Sequence, residues 1–145
     1  MSIGFTDGRV VASVTVAGEA SPRVELSPAA GALLARLWAQ HGPLMFHQSG
    51  GCCDGSAPMC YPAGDFVTSD ADVLLGELDL GPDASGEPRI APFWMSAEQF
   101  AYWRHTYLTV DVVPGRGSGF SVEAPEGVRF LIRSRLMEPT GARLT

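Results

Sequence analysis

The chain contains no lysine: all ten of its basic residues are arginine, set against sixteen carboxylates. Without that amine there is no pyridoxal Schiff base, no lysine-dependent aldolase step and no phosphate loop of the GxxxxGK type. A GC-rich coding bias accounts for the absence as simply as selection does, and the exclusion holds either way. Positive charge is scarce overall, with a net charge of -6, so the basic patches that bind nucleic acids or anionic membranes are not expected. No apolar run approaches the roughly 18 residues of a membrane span, and the start MSIGFTDGRV lacks the charged head and apolar core of a signal peptide. A soluble cytoplasmic protein is expected. Internal repeats, low-complexity tracts and long linkers are missing too, so residues 1–145 are expected to form a single domain.

Cysteine is also sparse, at three residues, but all three fall in one stretch, SGGCCDGSAPMCYP at 49–62, which is rich in glycine and turn formers. In the cytosol these thiols stay reduced, and an odd count leaves one without an intrachain partner. A disulfide between the neighbours Cys52 and Cys53 is strained. No CxxC pair is present, so this is not a zinc-finger pattern. Thiolates are strong soft ligands and nucleophiles, and a loop that returns on itself between Cys53 and Cys60 brings their sulfurs to one ion. The structural alternative is a set of buried, inert cysteines packed as small hydrophobes.

Local patterns give an order of elements. Arg9 to Ala17 reads as a first or edge strand, with β-branched residues recurring and Gly18 and Pro22 closing the run. Ser27 to His41 reads as a helix: Ser27 caps it, Pro28 suits its first position, Gly42 follows it, and Leu33, Leu34, Leu37 and Trp38 form its apolar stripe. Pro43 to Gln48 suits a strand covered on both faces and leads straight into the cysteine segment. Asp72 to Leu80 reads as a further strand, followed by a Gly- and Pro-rich loop. Ser96 to His105 reads as a second helix capped by Ser96. Tyr107–Val113, Phe120–Glu123 and Val128–Met137 read as a three-strand meander. In the last of these, Val128, Phe130, Ile132, Ser134 and Leu136 alternate with Arg129, Leu131, Arg133 and Arg135, giving one core face and one mostly wet face. The expected fold is α+β, a mostly antiparallel or mixed sheet with two covering helices.

The candidate metal ligands are Cys52, Cys53, Cys60 and His47. His47 is the nearest imidazole, on the strand face of Met45; the alternative for it is a core histidine bonded to a carbonyl. Asp54 serves either as a hard ligand or as the cap of the turn DGS, while His41 and His105 suit helix ends. The segment PGRGSGF at 114–120 precedes a strand rather than a helix, so it reads as a hairpin connection and not a phosphate site. Asp111 and Glu123 read as solvated or arginine-paired carboxylates rather than an acid/base pair.

The segments HGPLMFHQSGGCCDGSAPMCYP at 41–62 and WMSAEQFAYWRHTYLTVDVVPGRGSGFSVEAPEGVRFLIRSRL at 94–136 resemble a small bacterial family of domains of unknown function, often encoded beside NAD-dependent aldehyde dehydrogenases. That resemblance implies an accessory role in alcohol or aldehyde metabolism. A fainter similarity is to the A-type, HesB-like iron-sulfur carriers, in the positions of SGGCCDG at 49–55 and GSGFSVEAP at 117–125. It implies that Cys52 or Cys53 matches the carriers' first cysteine ligand; their terminal CGCG motif has no counterpart here, and Cys60 is the only other thiol. The resulting expectation is a metal- or iron-sulfur-binding accessory protein that takes iron, an iron-sulfur cluster, zinc or copper and forms a homodimer whose second copy completes the shell. Two alternatives stand beside it: a thiol- or metal-dependent small-molecule redox enzyme using one cysteine of the loop, and a metal-free partner that stabilises an aldehyde dehydrogenase. No arginine lies between Arg36 and Arg89, so activation of a nucleophilic thiol must come from the tertiary fold or the metal.

Overall fold

A helix starts where Ser27 turns its hydroxyl onto the backbone N–H of Ala30, and it runs over Pro28–His41 (α1) until Gly42, at φ 81°, closes it with an N–H to the Trp38 carbonyl. The cap, the proline in the first turn and the glycine stop are local signals, and they set both ends. Leu33, Leu34, Leu37 and Trp38 lie on its buried side. The computed structural model describes residues 5–6, 8–48, 56–65, 67–115 and 121–137.

Among the described residues nine strands form two mixed sheets, so the fold is α+β as expected. In chain order the strands are β1 (Phe5–Thr6), β2 (Arg9–Val11), β3 (Val24–Leu26), β4 (Leu44–Gln48), β5 (Met59–Pro62), β6 (Asp72–Asp79), β7 (Ile90–Ser96), β8 (Thr106–Pro114) and β9 (Val128–Leu136). A short second helix, α2 (Ala97–Trp103), is capped by Ser96, whose hydroxyl accepts from the Gln99 N–H. One sheet has the order β1-β2-β3-β8-β9, and the other has the order β5-β4-β7-β6. The pairings β3–β8 and β4–β7 are parallel and the rest are antiparallel.

The sheets face each other across one apolar cluster. Phe46 of β4 meets Phe93 of β7 at 5.5 Å and stands edge-on to Phe130 of β9 at 5.1 Å between ring centroids. Val24, Leu26, Leu108, Val110 and Ile132 supply the five-stranded side, and the α1 stripe joins them. Burying an aromatic or aliphatic side chain of this size contributes about 1.5–3 kcal/mol, so this layer is the main source of stability.

Hydrogen bonds link the sheets at both margins. The strand expected over Arg9 to Ala17 leaves its sheet after Val11, because the chain crosses to β6: Ser13 N donates to the Glu77 carbonyl at 3.0 Å and Thr15 Oγ1 to the Leu74 carbonyl at 2.6 Å. On the opposite margin Ile132 N donates to the Ser56 carbonyl at 2.8 Å, and Val122 N to the Cys60 carbonyl at 2.9 Å. The expected strand over Phe120–Glu123 does not form in its described part. Residues 121–123 turn into a 3-10 helix over Ala124–Glu126 instead, and Glu123 is buried rather than solvated.

Candidate functional site

Strand alternation decides what the candidate residues can share. β4 and β5 are antiparallel, with Phe46 opposite Cys60 and His47 opposite Met59. Residues directly opposite each other project from the same face, and neighbours along a strand from opposite faces. Cys60 therefore goes inward with Phe46 into the apolar cluster, and His47 goes to the outer face of the sheet. The structure does not bring His47 and Cys60 together, so one ion cannot take both as ligands. The sequence places Cys60 in a loop, whereas it lies on β5, because the short run Met59–Pro62 finds its partner along β4. Cys52, Cys53 and Asp54 lie outside the described residues. Among the described residues no group of three or more His, Cys, Asp or Glu side chains is arranged to hold a metal.

Cys60 is wholly buried and free. Burial, followed by the charge of Glu123, pushes its thiol pKa well above the ordinary value. It is a poor nucleophile and a poor ligand, because both roles need the thiolate. Its backbone N–H donates to Ser121 Oγ at 2.9 Å, and Ser121 in turn donates to the Glu123 carboxylate, whose other oxygen accepts from Phe130 N at 3.3 Å. This buried chain of bonds ties the turn at 121–123 to β5 and β9.

His47 has different surroundings. Its Nε2 lies 2.7 Å from Asp72 Oδ1, both side chains nearly out of solvent at 3% and 10% exposure. The register explains the meeting: His47 is aligned with Trp94 of β7, Trp94 with Leu74 of β6, and Asp72 sits two positions from Leu74 on the same face. Asp72 is itself held at the start of β6, its Oδ2 accepting from Ser69 N at 2.9 Å. The hydrogen bond from His47, helped by that from Ser69, keeps the Asp72 pKa below the usual aspartate value. A carboxylate on one ring nitrogen fixes the imidazole's orientation.

Sequence reasoning missed Asp72 as a partner, since its approach to His47 depends on β7 lying between them. It also missed Glu25, buried on the outer face of the other sheet.

A family model described as Domain of unknown function (DUF779) matches residues 33–136. The chain belongs to this family. Neither the curated proteins nor the solved structures contain a match. The DUF779 match takes in α1 from Leu33 onward, the strand that carries His47, the cysteine segment and β9, so the whole candidate site lies inside the family's own boundaries. Among the described residues no helix is long and apolar enough to cross a membrane.

Proposed function

We propose that this protein is a cytosolic metal- or iron-sulfur-binding accessory protein of alcohol or aldehyde oxidation, using the thiolates of Cys52 and Cys53 with the imidazole of His47. The observation that carries the reading is the His47–Asp72 pair, at 2.7 Å, one residue before the end of the strand that leads into the cysteine segment. Histidines that bind metals almost always donate their second ring N–H to a carboxylate or carbonyl, which orients the ring and raises its basicity. A set of soft thiolates and an imidazole suits iron, an iron-sulfur cluster, zinc or copper. Cys60 has no place in this set, being buried on the other face with its thiol held protonated.

Support for a carrier-like arrangement comes from the flanks of the two glycine-rich segments. Ser56 is bonded to β9, and Cys60 is bonded to Ser121 and Val122. The chain therefore leaves the cysteine segment beside the point where the 114–120 segment ends. A homodimer would supply the remaining ligands, and an NAD-dependent aldehyde dehydrogenase is the partner served.

The same pair favours a second reading, in which His47 acts as base for a loop thiol in a small-molecule redox enzyme. One preparation separates the two. Protein purified anaerobically without chelator is assayed for metal and visible absorption, alongside Cys52→Ser, Cys53→Ser and Cys60→Ser. Bound metal that is lost in the first two variants and kept in Cys60→Ser is the expected result. Metal-free protein with a thiol that alkylates rapidly at mildly acid pH would replace the first reading with the second. Co-purification with the dehydrogenase tests the partner.

A further inference from the structure

The outer face of the five-stranded sheet carries a polar recess that the proposed metal chemistry does not use. It has a volume of about 250 Å³ and is lined by Arg9, Glu25, Thr109, Arg133, Ser134 and Arg135. Its lining thus holds three guanidiniums and one carboxylate, with a second carboxylate, Asp111, paired to Arg133, in a chain whose net charge is -6. At the floor lies Glu25, only 1% exposed. Its carboxylate accepts from Tyr107 Oη at 2.9 Å, Thr109 Oγ1 at 2.9 Å and Arg9 Nη1 at 3.0 Å. Those three bonds compensate a buried charge that would otherwise be costly, and they fix Arg9 and Tyr107 in place.

The other two guanidiniums are held in different ways. Arg133 Nε donates to Asp111 Oδ2 at 2.9 Å. Arg135 lies over the ring of Tyr107, 4.6 Å from its centroid, and among the described residues it has no acidic partner within 4.0 Å. Register brings them together: Glu25 is aligned with Thr109, Thr109 with Arg133, and Tyr107 with Arg135. A guanidinium held over an aromatic face is restricted in its motion, and its fork of N–H donors suits bidentate recognition of an oxyanion.

We propose that this recess binds a small oxyanion, the phosphate or carboxylate group of a metabolite, with Arg135 as the principal contact and Arg9 and Arg133 flanking it. Glu25 acts as a positioning residue that holds Arg9 and Tyr107 and does not touch the ligand. The site lies on the sheet that does not carry His47, so it stands or falls independently of the metal reading.

The test is titration of the full chain with inorganic phosphate and, separately, with acetate, read by calorimetry and by the arginine Nε–H resonances. Saturable binding of one anion per chain, weakened by added salt and reduced about tenfold in Arg135→Gln, is expected. The control Arg36→Gln, at an exposed pair with Glu126, should bind as the parent does. Preference for phosphate or for acetate identifies which group the recess takes. A response that rises linearly with both anions, or equal binding by the parent and a folded Arg135→Gln, would overturn the proposal. Arg135→Lys, which keeps charge but loses the fork, should recover only part of the affinity; full recovery would refute bidentate recognition.

Discussion

Gly76 is the tightest point of the seam that joins the two sheets, and replacing it with alanine tests that seam directly. A Cβ at this position would stand 2.6 Å from the Ala12 Cβ, 2.9 Å from the Ser13 carbonyl oxygen and 3.3 Å from Val24 Cγ1, whereas ordinary contact begins near 3.4 Å. Two of these three neighbours are backbone or Cβ atoms, which cannot rotate away. The strand already shifts register between Leu74 and Gly76, so the crossing segment at 12–15 has to move outward as a unit. Overpacking of this kind costs about 1–3 kcal/mol. Alanine in place of glycine within a strand returns roughly 0.5–1 kcal/mol, leaving a net loss of about 1–2 kcal/mol. Thermal unfolding of Gly76→Ala should show a midpoint lower by about 3–8 °C, and the amide of Ser13 should exchange faster as its bond to Glu77 loosens. Adding Ala12→Gly removes the nearest obstacle, so the double variant should be more stable than the two single losses predict, with a coupling of at least about 0.5 kcal/mol. A Gly76→Ala protein as stable as the parent, which is what strand preference alone would give, would refute the close approach and with it the crossing.

Two further outcomes follow from the same geometry. Thiol labelling of the folded protein at neutral pH should leave Cys60 unmodified, with labelling complete only in denaturant, because the side chain is wholly buried and its thiol stays protonated; modification of Cys60 in the folded state, located by peptide mass, would contradict its place in the core. Stability should also fall in acid, and the sign can be assigned. Asp72 is held low by its bond from His47; at Asp111 desolvation pulls the pKa upward, but bonds from Arg133, Ser27 and Val112 outweigh it and leave it lowered. Groups with a depressed native pKa stabilise the fold above the ordinary aspartate range, near about pH 4, and that contribution is lost as pH drops below it. Urea midpoints should decline there, and the decline should be shallower in Asp111→Asn; an identical slope in the variant would show that Asp111 is not part of it.

What could be read from sequence were the elements with local causes. Helix α1 has its cap, its proline, its stripe and its glycine stop in consecutive residues, and it forms over the expected span; α2 shares the Ser96 cap. β4 is legible as a continuous apolar run, and all five of its residues are buried. β3 is too short, at three residues, to show alternation, and exists because β8 pairs with it in parallel. β7 contains Pro92, a residue that argues against a central strand, yet the strand forms between β4 and β6 with Phe93 and Met95 fully buried. Missing β7 hid the site as well, since it is the strand across which His47 and Asp72 meet. Cys60 was misplaced for a related reason: four residues following a glycine- and proline-rich stretch carry no period of their own, and only their pairing with β4 makes them a strand.

Alternation also sorts the chemistry of the whole molecule. The inner faces of both sheets supply the apolar cluster, whereas each outer face holds a nearly solvent-free carboxylate: Asp72 with His47 on one sheet, and Glu25 with Tyr107, Thr109 and Arg9 on the other. Neither is needed to close the core, which the phenylalanines and α1 already do. Buried ionic clusters are weak contributors to stability, and apolar replacements of equal volume are often as stable or more so. Their placement on the two outer faces is therefore better matched to recognition or chemistry than to holding the core together. Cys60 sits on the inner side of that division. On the proposed reading, thiol or metal chemistry would rest on Cys52 and Cys53, with His47 as the nearest imidazole in sequence, and a functional assay should find two active thiols rather than three.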